Sequence, residues 1–149
     1  EMGHTVIPIS DGWYSDRHRR VNQYAGTFPA GTPQVYISLH LNAGGGDYGA
    51  VFFDHRSRGG PELAARIATQ LRMVAPEING AKCIAAKPDD WTRAAFGTIG
   101  GIMQPLGICF EPCFMDNPAH ADLLTREGLS AIGRALASGI DAWASTREV

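Results

Sequence analysis

The chain is short of most features that would assign it at a glance. Its 149 residues carry 13 Lys plus Arg against 15 Asp plus Glu, a net charge of -2. There is no cationic surplus of the kind that neutralises a phosphate backbone, which argues against nucleic acid as a partner. No apolar run approaches the roughly 20 residues that cross a bilayer, and no basic segment followed by an apolar stretch opens the given chain as a signal peptide would. Membrane insertion is therefore not expected. Cysteine is scarce: Cys83, Cys109 and Cys113 make an odd set of three, too few and too irregular for a disulfide framework. All three read as buried thiols, and Cys109 with Cys113 is a lone C-x3-C pair without the second pair a zinc site would need. The glycine run 44–46 lacks the Lys-Ser/Thr and the following helix of a phosphate loop.

What is present is the patterning of one soluble domain, with 44% hydrophobic and 19% charged residues. HTVIPIS (4–10) is β-branched and ends at Asp11-Gly12, so it predicts a strand and a turn. SDRHRRVNQYAG predicts a short polar helix capped near Ser15 or Asp16 and stopped at Gly26. VYISLHLN (35–42) alternates cleanly, with Val35, Ile37, Leu39 and Leu41 on one face and Tyr36, Ser38, His40 and Asn42 on the other. AVFFD follows so closely, through glycine, that the two strands could be hairpin neighbours.

GGPELAARIATQLRMVA predicts a helix, with Pro61 and Glu62 in its first turn and Leu63, Ile67 and Leu71 as its stripe. Residues 76–104 give only a weak strand near Lys82 to Ala86. LGICFE is a strand ending at Glu111. In the remainder, Asn117 and Pro118 suggest a helix start, and Leu129, Ile132, Leu136, Ile140 and Trp143 form a stripe that should pack on the sheet. Strands alternating with helices imply an α/β fold: a single domain with a mostly parallel twisted sheet and helices on both faces.

Ligands of such sheets gather beyond the carboxyl ends of the strands, where loops converge on a rigid base. His40 and Glu111 both end apolar strands before loops rich in Gly, Asn or Pro. An imidazole and a carboxylate so placed suit a metal ligand and a general base, with Ser38 or a backbone carbonyl fixing the second ring nitrogen. A hydrogen-bonded core histidine and an ion-paired glutamate explain the same residues. His4, His18, His55 and His120 fall in turns or polar helix starts and read as surface residues.

Two motifs reach further. YISLHLNAGGGDYGAVFF resembles the S-x-H-x-N-A segment and glycine-led strand of the zinc-dependent N-acetylmuramoyl-L-alanine amidases of the amidase_3 family, and ICFEPCFMDNPAHADLL is similar to that family's later segment ending an apolar strand in Glu. The opening MGHTVIPISDGWYSDRHRRVNQYAG is similar to the family's second strand, variable loop and following helix. The likeness thus covers nearly the whole of 1–149 as a catalytic domain.

The resemblance implies that His40 is a zinc ligand, that Glu111 is the catalytic carboxylate, and that Asn42 and Asn117 bind substrate or order the loops. The implied cofactor is Zn2+ and the implied partner is bacterial peptidoglycan, cut between N-acetylmuramic acid and L-alanine by a monomer. The implied location is the cell envelope, periplasmic or secreted, or a phage lysis protein. The family's G-H-G-G strand and the helix bearing a glutamate ligand have no counterpart here, so two ligands are wanting and the natural chain is expected to begin earlier. Pro112 stands where glycine commonly follows the glutamate. The competing class is a wall-binding or structural module that keeps the fold without the metal.

Overall fold

The computed structural model describes residues 4–147. Four strands form one sheet: β1 (Val35–Leu39), β2 (Gly49–Asp54), β3 (Ala81–Ala86) and β4 (Leu106–Glu111), in the order β1-β4-β2-β3. β1 pairs with β4 and β2 with β3 in parallel, while β2 and β4 run antiparallel. The mostly parallel α/β reading holds. The hairpin reading does not, because β4 lies between β1 and β2; the glycine-rich link 40–48 must cross a strand.

Among the described residues four α-helices complete the layers: α1 (Tyr14–Ala25), α2 (Gly60–Val74), α3 (Arg93–Ile99) and α4 (Arg126–Ala144), with a 3-10 helix at Pro118–Leu124. One face of the sheet is built by Val51, Ile108 and Phe110, which join Leu63, Ile67 and Leu71 of α2 and Ile132 and Trp143 of α4 in the larger core. The other face presents Ala50, Phe52, Ala86 and Cys109 to Ala95 and Ile99 of α3. Period-two alternation along each strand supplies both faces, as a sheet covered on two sides requires.

Several expectations are corrected. Residues 4–10 form no strand: Val6 is 82% exposed and Ile7 is exposed too, because no neighbouring backbone completes a ladder and Pro8 has no donor to offer one. α1 starts at Tyr14 with Trp13 at its N-cap and no side-chain cap, ahead of Ser15 and Asp16. Segment 93–99 is helical, although its short run gave no period to read. Asn117 caps the 3-10 helix by accepting from the Ala119 amide, and a second cap, Thr125, accepting from Gly128, starts α4. That helix packs chiefly on α2, not directly on the sheet. Its Gly139 lies against Ile67, so close that a Cβ there would stand 2.6 Å from the Ile67 Cα. Leu129 lies outside the stripe and is exposed. Cys109 and Cys113 are buried thiols, but Cys83 is exposed on β3, an edge strand.

Candidate active site

β1 and β4 are in parallel register with Leu39 opposite Phe110. The ladder continues past the end of β1, since the His40 amide donates to the Phe110 carbonyl at 3.0 Å and the Asn42 amide to the Cys113 carbonyl at 3.0 Å. His40 and Glu111 are therefore neighbours on adjacent strands. Alternation puts Ser38 and His40 of one strand, and Cys109 and Glu111 of the other, on the face that α1 and α3 cover.

Two hydroxyls meet the His40 ring at Nε2: Ser38 Oγ at 2.9 Å and Tyr14 Oη at 3.1 Å. Ser38 is the partner the sequence suggested; Tyr14 is not, because its reach depends on how α1 docks. Burial, assisted by the nearby Arg17 charge, holds the His40 pKa below the usual histidine value, so the ring is kept neutral. Glu111 shifts the other way. Burial pushes its carboxyl above the ordinary glutamate range, only partly opposed by the Cys109 thiol, whose Sγ stands 3.8 Å from Oε1. That thiol is itself pushed up to about 12 by burial and stays protonated. A buried carboxyl poised toward neutrality at a strand end is suited to taking up and returning a proton.

Beyond Glu111 lies a cavity of about 480 Å³ lined by Asn42, Tyr48, Phe52, Trp91 and Phe114 among others. It lies within the size range of ligand pockets. His40 is not in its wall and faces α1 instead. The rim is fixed by polar ties from the 113–117 loop. Asn117 Nδ2 donates to the Gly46 carbonyl at 2.8 Å, and the Asp116 carboxylate accepts from the Gly44 and Gly45 amides at 2.7 and 3.1 Å. Both glycines have positive φ, 108° and 69°, a conformation that favours a residue without Cβ. Those two amides hold the Asp116 carboxyl below the usual carboxylate range. Asn42 accepts from the Ala43 amide through Oδ1 at 2.8 Å. Asn42 and Asn117 thus meet at one loop cluster, and Asp116, which the sequence reading passed over, is its main anchor.

Two histidines read as surface residues are buried. His18 directs Nε2 to the Thr98 carbonyl at 2.8 Å, joining α1 to α3. His120 is fully buried, and its Nδ1 accepts from the Phe114 amide at 3.0 Å. Both positions follow from tertiary packing, which polar flanking sequence conceals. Among the described residues, no group of three or more His, Cys, Asp or Glu side chains could hold a metal ion. None of the described helices is long and apolar enough to cross a membrane.

No family profile and no curated protein matches the sequence. Solved structures do share its fold. The CwlD amidase of Clostridioides difficile, solved with the GerS lipoprotein, is 19% identical with a TM-score of 0.64 over 89% of this chain and 64% of that one. The catalytic domain of the CD27L endolysin, which targets Clostridia difficile, is 25% identical with a TM-score of 0.58 over 85% of this chain and 61% of that one. An N-acetylmuramoyl-L-alanine amidase of Clostridium difficile 630 is 14% identical with a TM-score of 0.70 over 91% and 67%. The chain spans less than two thirds of the length of the first two, and it shares its fold with all three.

Proposed function

We propose that the chain is a peptidoglycan amidase that hydrolyses the bond between the lactyl group of N-acetylmuramic acid and L-alanine. The observation that carries the reading is the adjacency of His40 and Glu111, from two separately recognised motifs, on one face of a fold shared with the CwlD amidase and the CD27L endolysin catalytic domain. It goes with a location at the cell envelope or outside the cell, and with action as a monomer.

Zinc is the ion the resemblance implies, and His40 is the residue that would ligate it. The described residues do not fit a zinc centre by themselves: a lone imidazole, its Nε2 already engaged by two hydroxyls, falls short of the three protein ligands such sites use.

Glu111 takes a proton from the attacking water as its oxygen bonds to the lactyl carbonyl carbon. The same carboxyl then protonates the alanine nitrogen as the C–N bond breaks, leaving a free carboxylate on the sugar and a free amino terminus on the peptide. A carboxyl whose pKa is raised by burial serves both halves, being a better proton donor near neutrality than an exposed glutamate. Asn42 and Asn117 hold the rim against which the substrate lies. The test is chemical identification of the products from purified cell walls. New amino-terminal L-alanine is expected; new reducing sugar ends, or no release with zinc supplied, would refute the reading.

A further inference from the structure

Trp91 is 72% exposed and stands in the wall shared by the cavity at Glu111 and a second cavity of about 300 Å³ lined by Asp89, Asp90 and Arg93. Trp13 is more exposed still, at 81%, so exposure alone marks no site; Trp91 is set apart by its place in the cavity wall at Glu111 and by the loop that carries it. That loop is fixed. Thr92 beside it is buried, accepts from the Lys87 amide at 2.8 Å, and is tied to Asp90 through both its amide and its hydroxyl. Beneath, Phe52 meets the indole at 71° with centroids 6.2 Å apart. The loop therefore presents a preorganised aromatic face, and little ordering entropy is lost when a ligand covers it.

The company of that face narrows the ligand. Around it the cavity offers the Asn42 side chain and a glycine backbone, and Glu111 is the one charged lining residue among those described. The Lys82 ammonium stands 3.4 Å from the ring centroid of Tyr48 in the cavity wall, so the two signs of charge balance there and the apolar and hydrogen-bonding groups select the ligand. A neutral pyranose suits the cavity: the C–H face of the ring lies on the indole, while hydroxyl and acetamido edges reach the amide and backbone groups. On the amidase reading, the substrate has such a half, the glycan, and a second half, the stem peptide, that carries free carboxylates. We propose that Trp91 is the platform on which a sugar ring of the glycan stacks, holding the lactyl amide at Glu111. The proposal rests on the reading above for the substrate but is tested separately from it.

The experiment follows the indole N–H signals of Trp13, Trp91 and Trp143 in the ¹⁵N-labelled chain during titration with peptide-free N-acetylglucosamine tetrasaccharide and, separately, with free stem tetrapeptide. Saturable movement of the Trp91 signal with the saccharide alone is expected. Trp91→Ala should weaken saccharide binding about tenfold, the loss of one stacked apolar face, and Trp91→Tyr should restore most of it. A Trp91 signal unmoved by saccharide, or moved by the peptide instead, overturns the platform, as does unchanged affinity in Trp91→Ala. Saccharide binding at Trp91 without release of L-alanine amino termini from walls would overturn the amidase reading and leave the platform standing. Release with unchanged KM in Trp91→Ala would do the reverse.

Discussion

α4 carries a matched pair of glycines that isolates the packing of the two outer helices. At Gly139 an added Cβ would stand 2.6 Å from the Ile67 Cα and 2.9 Å from its amide nitrogen, both backbone atoms that no rotamer change can clear. At Gly133 nothing lies within 4 Å. Alanine at either site gains about 0.5–1 kcal/mol of helix propensity. At 139 that gain is set against an overpacking cost of about 1–3 kcal/mol, because α4 must move off α2 to admit the methyl group. Gly133→Ala should therefore stabilise and Gly139→Ala destabilise, with the two variants about 1–3 kcal/mol apart. In thermal unfolding, each kcal/mol corresponds to about 2–4 °C for a chain of this size, so the melting temperatures should move in opposite directions. If both variants shift the same way, or Gly139→Ala leaves Tm unchanged, the close crossing of α2 and α4 is wrong.

Three further outcomes follow from the site and the thiols. Folding raises the Glu111 pKa, so the stability linked to it is present below the ordinary glutamate value and is lost as pH rises through the raised one; Glu111→Gln should raise Tm near neutrality and do less in acid, and a uniform shift across pH would contradict the burial argument. Removing the Asp116 carboxylate by Asp116→Ala frees the Gly44 and Gly45 amides, whose hydrogen exchange should quicken; unchanged protection would mean the carboxylate does not order the loop. Of the three thiols, Cys83 alone should react with a soluble disulfide reagent in the native protein, slowed by the partial burial that raises its pKa, and all three should react in denaturant. Fast native labelling of Cys109 would contradict its burial.

Much of the fold is legible where a periodic pattern and local burial agree. The Leu63, Ile67 and Leu71 stripe of α2 is fully buried as its spacing requires, and LGICFE alternates between two covered faces. Strand order is not local. β1 and β2 are separated by β4, which arrives from far along the chain, and no turn chemistry near glycines 44–46 can encode that. α3 escaped because its buried side is only Ala95, Thr98 and Ile99, too small a set to display a period. At the site, His40 and Glu111 are visible as titratable residues ending apolar strands. Tyr14, Asp116 and Trp91 are not, because each reaches the site through the docking of a helix or loop. HTVIPIS shows the converse: strong β propensity yields no strand where the fold supplies no partner backbone.

On the amidase reading, Glu111 moves the proton in amide hydrolysis. The most direct measurement is the initial rate of L-alanine amide cleavage on a soluble muramoyl-peptide by the native chain and by Glu111→Gln, with folding of the variant checked by its cooperative melt. Cleavage by the native chain is expected, with a loss of about 10²–10⁴-fold in the variant, the range that removal of a general acid–base group produces. A well-folded Glu111→Gln variant that cleaves at the native rate would contradict that role.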